Sequence, residues 1–492
     1  MKKLFLLFTF VFSLFGITTN AHAVDYYFTV TTTNQTSSSW NFQFKISAQG
    51  TFYVDCGTNG TLSRVSGASA TVSGGTIDKT GNVNNATFKC QYTSSGSKTI
   101  QFGGAATAYN TSSSTAAISF RISTTSNTNP KLISSISGDL SPIFPIYDGA
   151  TLGKHPMFHQ TFYGCSNLTS IPDTLFSGYT TGGSYMFSQT FNACTGLTSI
   201  PEKLFNFGGN NVAGQKGMFG QAFSSCTGLT SIPANLFQRV TSGADSLFAS
   251  TFSRCTSLTS IPETLFNFGG NNVSGQQFMF ANTFSTCTGL TSIPANLFQR
   301  AISSAKRMFY NTFGNCTGLT SIPENLFNFG GNNVSGQEDM FNDTFINCTG
   351  LTSIPENLFR RVTSSANSMF YETFSGCTNL GGYIPSSTFS GLIANSSPTA
   401  DNMWQDTFTS TQLVTECPTG THQYFTGYEG EDTSTYTKWN GYVSCEPGIK
   451  LTWDGSSGTP ASCTYGGTFT PPTPAARPGY RFTGWKVKTI NP

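Results

Sequence analysis

Residues Met157 to Phe176 read MFHQTFYGCSNLTSIPDTLF, the first of eight copies, with small changes, of the string MFxxTFxxCTxLTSIPxxLF up to Phe389. Its cysteines are Cys165, Cys194, Cys226, Cys255, Cys287, Cys316, Cys348 and Cys377. They are separated by alternating intervals of 29 and 32 residues, so the true unit is a 61-residue pair. A fixed period of this length marks a solenoid, in which no unit buries its apolar face alone and stacked neighbours share one core. Phe158, Phe162 and Cys165 stand at i, i+4 and i+7, which predicts one face of two helical turns. LTSI, Leu168 to Ile171, has the length of one strand rung, and Pro172 ends it because proline donates nothing to a ladder. Ser199 to Glu202 has the spacing of a capping box. With Pro201 it predicts a short helical turn closed by Leu204 and Phe205. Each unit is therefore expected to be helix, rung, turn and loop. The Leu, Ile and Phe positions recur because every coil must place the same volume beside the same neighbour.

The variable part is the loop after LF. Long loops start at Asn206, Asn267 and Asn328 with NFGGNNV, and short ones start at Gln238, Gln299 and Arg360. The Gly-Gly-Asn-Asn core suits a turn with positive φ. Stacking sets the asparagines Asn210, Asn271 and Asn332 in one row and Arg239, Arg300 and Arg361, also 61 apart, in another. These six form a candidate ligand-binding flank. Phe207, Phe268 and Phe329 fall outside the fixed MF, TF and LF positions. They are either exposed ligand contacts on the same flank or rings packed under their own Gly-Gly turn.

Working outward, Lys2 and Lys3 precede LFLLFTFVFSLFGI and then Ala21-His22-Ala23, which reads as a Sec signal peptide, 1–23, cleaved after Ala23. No later stretch is apolar enough to cross a bilayer. The 25 basic side chains, less Lys2 and Lys3, balance the 23 acidic ones, so total charge gives no footprint for nucleic acid or an anionic membrane. Residues 24–126 hold short alternating runs such as Phe42, Phe44 and Ile46, the pattern of half-buried strands in a β-sandwich. Cys56 and Cys90 lie in two of these runs, either as an inter-sheet disulfide or as two buried thiols. A Pro-punctuated connector, 127–156, leads into the solenoid, 157–416, whose last degenerate helix, Met403 to Phe408, serves as a cap. A Cys-containing region, 417–492, follows with Cys417, Cys445 and Cys463. The predicted architecture is multidomain: an all-β sandwich, an α/β leucine-rich-repeat solenoid and a small C-terminal β-rich module.

Three resemblances accompany these readings. GTFYVDCGTNG, followed by KTIQFGGAATAY, resembles the PKD-like sandwich of some bacterial surface proteins, with Cys56 standing where that family has Trp. The repeats resemble the BspA-like family of bacterial surface leucine-rich repeats, whose units carry MFxxCxxLxxI. Residues 449–485 contain YGGTFTPPTPAARPGYRFTGW, similar to the β-grasp-like repeat of listerial internalins and Bacteroides surface proteins. The resemblances imply secretion or cell-surface display and adhesion to an extracellular protein or polysaccharide, and they supply no catalytic residue or cofactor.

The residues themselves offer little chemistry. His155 and His159 stand at i, i+4, but Pro156 lies between them and no further ligand is fixed nearby, so they read as surface histidines rather than a metal pair. His422 has no nucleophile motif around it. No Walker loop, EF-hand or HExxH occurs. The repeat cysteines would lie about 5 Å apart between coils, inside the Cα window for a disulfide. Equivalent side chains point in parallel, however, so the ladder reads as a column of buried free thiols, with cross-coil disulfides or metal chemistry as the alternative. The expected function is extracellular binding without catalysis or cofactor, and the alternative is a structural spacer of the cell envelope.

Overall fold

The computed structural model describes residues 24–122 apart from 113, 129–146, 157–413 apart from 383 and 396–401, and short strands at 422–423, 444–446, 449–451 and 461–463. The leader with its cleavage site, His155, Cys417 and most of the C-terminal region lie outside the described residues.

Ten strands form two antiparallel sheets: β1 Tyr26–Thr32, β2 Trp40–Ile46, β3 Gln49–Asp55, β4 Gly60–Gly67, β5 Thr71–Ser73, β6 Thr76–Asp78, β7 Ala86–Tyr92, β8 Thr99–Ala108, β9 Ile118–Ser119 and β10 Ile133–Gly138. One sheet has the order β10-β1-β8-β3-β6-β5 and the other β4-β7-β2-β9. Alternation fixes which side faces inward. Phe42, Phe44 and Ile46 of β2 are buried with Phe88 of β7, against Phe28 and Val30 of β1 and Phe102 of β8. Phe44 and Phe102 meet edge to face at 5.1 Å across the two sheets. A disulfide joins Cys56, just past β3, to Cys90 in β7, with Cα atoms 5.6 Å apart, and so ties one sheet to the other. Strand β10 lies in the stretch expected to be a connector. It pairs with β1 because Ile133 and Ile136 complete the buried face.

The sandwich passes directly into the repeats. Ala117 N–H donates to Met157 O at 2.8 Å, Phe120 N–H to Thr161 O at 3.0 Å and Leu140 N–H to Leu175 O at 3.0 Å. Phe120 stacks on Phe162 at 5.4 Å, so one apolar core runs through both parts.

The repeats do not form the expected α/β leucine-rich-repeat solenoid. Among the described residues the one α-helix is α1, Ser390–Asn395, and neither the MFxxTFxxC segments nor the LTSI rungs are helix or regular strand. Each coil is instead a chain of tight turns. In coil 2, starting at Met186, the N–H groups of Thr190, Asn192 and Cys194 donate to the carbonyls of Phe187, Gln189 and Phe191, three residues back. The intervening N–H groups of Phe187, Gln189, Phe191 and Ala193 cross to the carbonyls of Met218, Gly220, Ala222 and Ser224 in coil 3. Tyr185, Gln189 and Ala193 have φ of 58°, 55° and 60°, a left-handed residue every fourth position, and later coils repeat them. Helix axes pack roughly 8–10 Å apart, too far for backbone bonds between them, whereas here Phe187 N–H reaches Met218 O at 3.0 Å and Phe191 N–H reaches Ala222 O at 2.9 Å. At that separation a turn chain that shares its donors with the next coil fits, and a helix does not.

The remaining expectations for the unit change in the same way. Leu204 N–H closes a single turn on Pro201 O at 3.2 Å, and the Glu202 carboxylate accepts from Asn235 Nδ2 of the next coil at 2.6 Å instead of capping a helix. The rung at Thr198 makes one backbone bond, from Thr230 N–H at 3.2 Å. The closing segment is built of turns as well, with Trp404 stacked on Phe370 at 4.7 Å.

Candidate functional site

The long loop of each pair opens with three successive left-handed residues. Phe207, Gly208 and Gly209 have φ of 48°, 60° and 84°, and the same turn recurs at Phe268 and Phe329. Two glycines make this turn affordable where most side chains would be strained. Phe207, Phe268 and Phe329 are 2% exposed. Their rings are core, with Phe207 set edge-on to Phe187 at 6.2 Å. Of the two readings of these phenylalanines, packing under their own turn holds and exposed ligand contact is corrected, because the turn folds each ring inward under its own backbone.

Past the turn the loop is tied to the following short coil. Val212 pairs in parallel with Val240, Val273 with Ala301 and Val334 with Val362. These bridges place each arginine beside the asparagines of the loop before it. Arg239 Nε donates to Asn206 Oδ1 at 3.4 Å. Arg300 Nε donates to Asn267 Oδ1 and its Nη1 to Asn272 Oδ1, both at 3.3 Å. Arg361 repeats this with Asn328 and Asn333, both at 3.4 Å. The three arginines are half-buried, and the asparagines at 211, 272 and 333 are exposed. The ion pairs between described residues lie elsewhere, Lys306 with Glu338 at 2.7 Å and Arg307 with Asp339 at 2.9 Å. The predicted row Asn210, Asn271 and Asn332 spends its amide N–H groups on backbone carbonyls, of Phe207 at 3.2 Å, Phe268 at 3.1 Å and Ile302 at 3.3 Å. The partners that orient the arginines are thus Asn206, Asn267 and Asn328, joined by Asn272 and Asn333, rather than the asparagines at 210, 271 and 332. For the first three the signal was present, since each precedes its arginine by the same 33 residues.

The eight repeat cysteines are buried free thiols. Each thiol from Cys194 onward donates to the carbonyl of the second phenylalanine of the preceding coil, as Cys194 does to Phe162 at 3.1 Å and Cys316 to Phe284 at 3.1 Å. The Thr column does the same for the first phenylalanine, Thr251 donating to Phe219 O at 2.9 Å. Burial pushes the thiols of Cys287 and Cys377 up to about 12. These groups are structural donors and poor nucleophiles.

Two further titratable places stand out. His159 sits where the sandwich meets coil 1. Its Nδ1 is buried without a partner, and burial followed by the charge of Arg121 pushes its pKa down. Near the other end Asp343, Glu372 and Asp406 occupy the same left-handed position in successive coils. Burial, then Glu372, raises Asp343 to about 6. Among the described residues no group of three or more His, Cys, Asp or Glu side chains is placed to hold a metal ion, and no helix is long and apolar enough to cross a membrane. No family model, curated protein or solved structure matches the chain.

Proposed function

We propose that this chain is an exported, cell-surface protein that binds an extended extracellular ligand, a protein or a polysaccharide, along the arginine flank of its coils, without catalysing a reaction. The observation that carries this reading is the recurrence, every 61 residues, of one arginine held by asparagine oxygens: Arg239, Arg300 and Arg361. A guanidinium has five N–H donors, and these contacts leave most of them open. Held in a fixed orientation, each loses little freedom on meeting an acceptor, and weak contacts in register sum. The hydrophobic leader and the resemblance of the repeats to BspA-like surface proteins support export and adhesion.

The same hydrogen bonds favour a second reading, a spacer in which arginine and asparagine brace adjacent coils and touch nothing else. The test is the triple change Arg239→Ser, Arg300→Ser and Arg361→Ser, checked first for an unchanged melting temperature. The mature protein and the variant are then compared on immobilised matrix proteins and glycans. Loss of binding in the variant supports the flank. Undiminished binding to every ligand overturns it, and the absence of any ligand for the unaltered protein favours the spacer.

A further inference from the structure

The charges of the sandwich are sorted between its sheets. Its described carboxylates, Asp25, Asp55, Asp78 and Asp139, all lie in or beside strands of the six-stranded sheet: just before β1, at the ends of β3 and β6, and just after β10. The outward positions of the four-stranded sheet carry the opposite sign. Inward-facing Phe42, Phe44, Phe88 and Cys90 leave Asn41, Gln43 and Lys45 of β2 and Lys89 and Gln91 of β7 facing out. Ser119 of β9 pairs with Lys45, and Arg121 follows it on the same side, with buried Phe120 between them. The other cations lie off this face, with exposed Lys131 just before β10 of the six-stranded sheet. Arg64 donates to the carbonyls of Gly67 and Ala68, Lys79 is buried on Asn82 and Asn84, and Lys98 lies over the Tyr92 ring.

We propose that the outer face of the β4-β7-β2-β9 sheet is a second binding surface, separate from the arginine flank, and that it takes an acidic polysaccharide through Lys45, Lys89 and Arg121. Lys89 lies opposite Gln43, so Lys45 is its diagonal neighbour, about 7–8 Å away. Arg121 extends the row toward coil 1, where its guanidinium stacks 4.3 Å from the Tyr163 ring centre and donates to Gln160 Oε1. None of the three cations has a carboxylate partner among the described residues; Lys89 Nζ meets only Gln91 Oε1, at 3.1 Å. They repel one another instead, and Arg121 adds to burial in lowering the Lys45 pKa. Such a set is relieved by a chain whose negative charges recur along its length. The amides of Asn41, Gln43 and Gln91 between the cations suit sugar hydroxyls.

Other polyanions fit less well. Single-stranded nucleic acid needs exposed aromatic rings for its bases, and here the rings point inward or, at Tyr163, lie under Arg121. An anionic membrane calls for a denser basic cluster or an apolar face, and the residues between these cations are polar.

The experiment measures binding of the mature chain to heparin and to polygalacturonate, which separate sulfated from carboxylated ligands, with dextran, oligothymidylate and phosphatidylserine vesicles as comparisons. The variant is Lys45→Gln with Lys89→Gln, made both in the unaltered chain and in the triple arginine variant of the flank, and the control is Lys98→Gln. The expected result is saturable, salt-sensitive binding to at least one acidic polysaccharide and none to dextran. Affinity should fall about tenfold or more when the two lysines are changed on either background and stay unchanged in Lys98→Gln. Failure to bind either acidic polysaccharide overturns the proposal. So does undiminished binding by the double variant at an unchanged melting temperature, or tighter binding of oligothymidylate or vesicles. Because the flank variant is scored separately, failure of one surface is not read as failure of the other.

Discussion

Replacing Gly164 by Ala separates a helix from a turn chain by the sign of its effect. In a helix the change is stabilising by roughly 1 kcal/mol, because glycine gives up the most backbone freedom on folding. In the coil Gly164 sits at φ +76°, and its N–H donates to Asn192 O at 2.8 Å. Alanine keeps that bond. The nearest atom to an added Cβ would be Pro130 Cβ at 3.9 Å, an ordinary contact, so neither packing nor hydrogen bonding changes. What remains is the left-handed backbone, which costs a residue with a Cβ about 1–2 kcal/mol. Gly164→Ala is therefore expected to lower stability by about that amount, and Gly164→Asn by less, since asparagine tolerates this region. Coils 6 and 7 already place Asn315 and Asn347 at the equivalent position, with φ of 62° and 55°. Equilibrium urea unfolding at unchanged m-value reads the difference. A gain in stability for Gly164→Ala would refute the turn-chain account of the repeats.

Two further outcomes follow from the interior. In the native protein at pH 8 the eight repeat cysteines should resist a thiol reagent and titrate as about eight only in denaturant without reductant, since they are packed away from the reagent; native reaction of most of them would show that the column is open. Asp343, raised to about 6 mainly by burial and then by Glu372, binds its proton more tightly folded than unfolded. Its contribution is thus present at pH below about 4, the usual aspartate value, and is lost as pH rises through about 6. His159, pushed down by burial and Arg121, acts in the opposite direction. The reading is therefore the difference between the unaltered chain and Asp343→Asn in melting temperature from pH 4 to 7.5, and identical pH profiles would remove Asp343 from the account.

The sandwich was legible because its strands are simple: Phe42, Phe44 and Ile46 face one side, and a period of two has no competing interpretation. The coils were harder. Phe158, Phe162 and Cys165 keep the spacing of a helical face, yet a chain of turns with a left-handed residue every fourth position sets its side chains at the same intervals. What separates the two lies outside the spacing of apolar residues, in the destination of the alternate N–H groups. Those groups bond to the next coil, and no single repeat contains that information. Thr190 and Cys194 were readable as buried, but their role as donors to the carbonyls of Phe158 and Phe162 needed the neighbouring coil in place. The loop phenylalanines left two readings open for a local reason. Phe207 adopts a positive φ that its residue type disfavours, and that conformation is what turns the ring inward.

The backbone bonds that join the MFxxTFxxC segments all run one way, from the N–H groups of one coil to the carbonyls of the next. The two ends of the stack are consequently different chemical objects. The first coil offers the carbonyls of Met157 and Thr161, and the N–H groups of Ala117 and Phe120 in the sandwich donate to them as a starting template. Every later seam joins the same donors to the same acceptors. Excising residues 218–278 would bring Phe187, Gln189 and Phe191 against the carbonyls of Met279, Ala281 and Thr283, with Arg300 arriving where Arg239 had been. A gene encoding this chain can therefore lose or duplicate a pair by recombination between near-identical stretches, and reach is a property that selection could adjust in whole steps without redesigning a single contact.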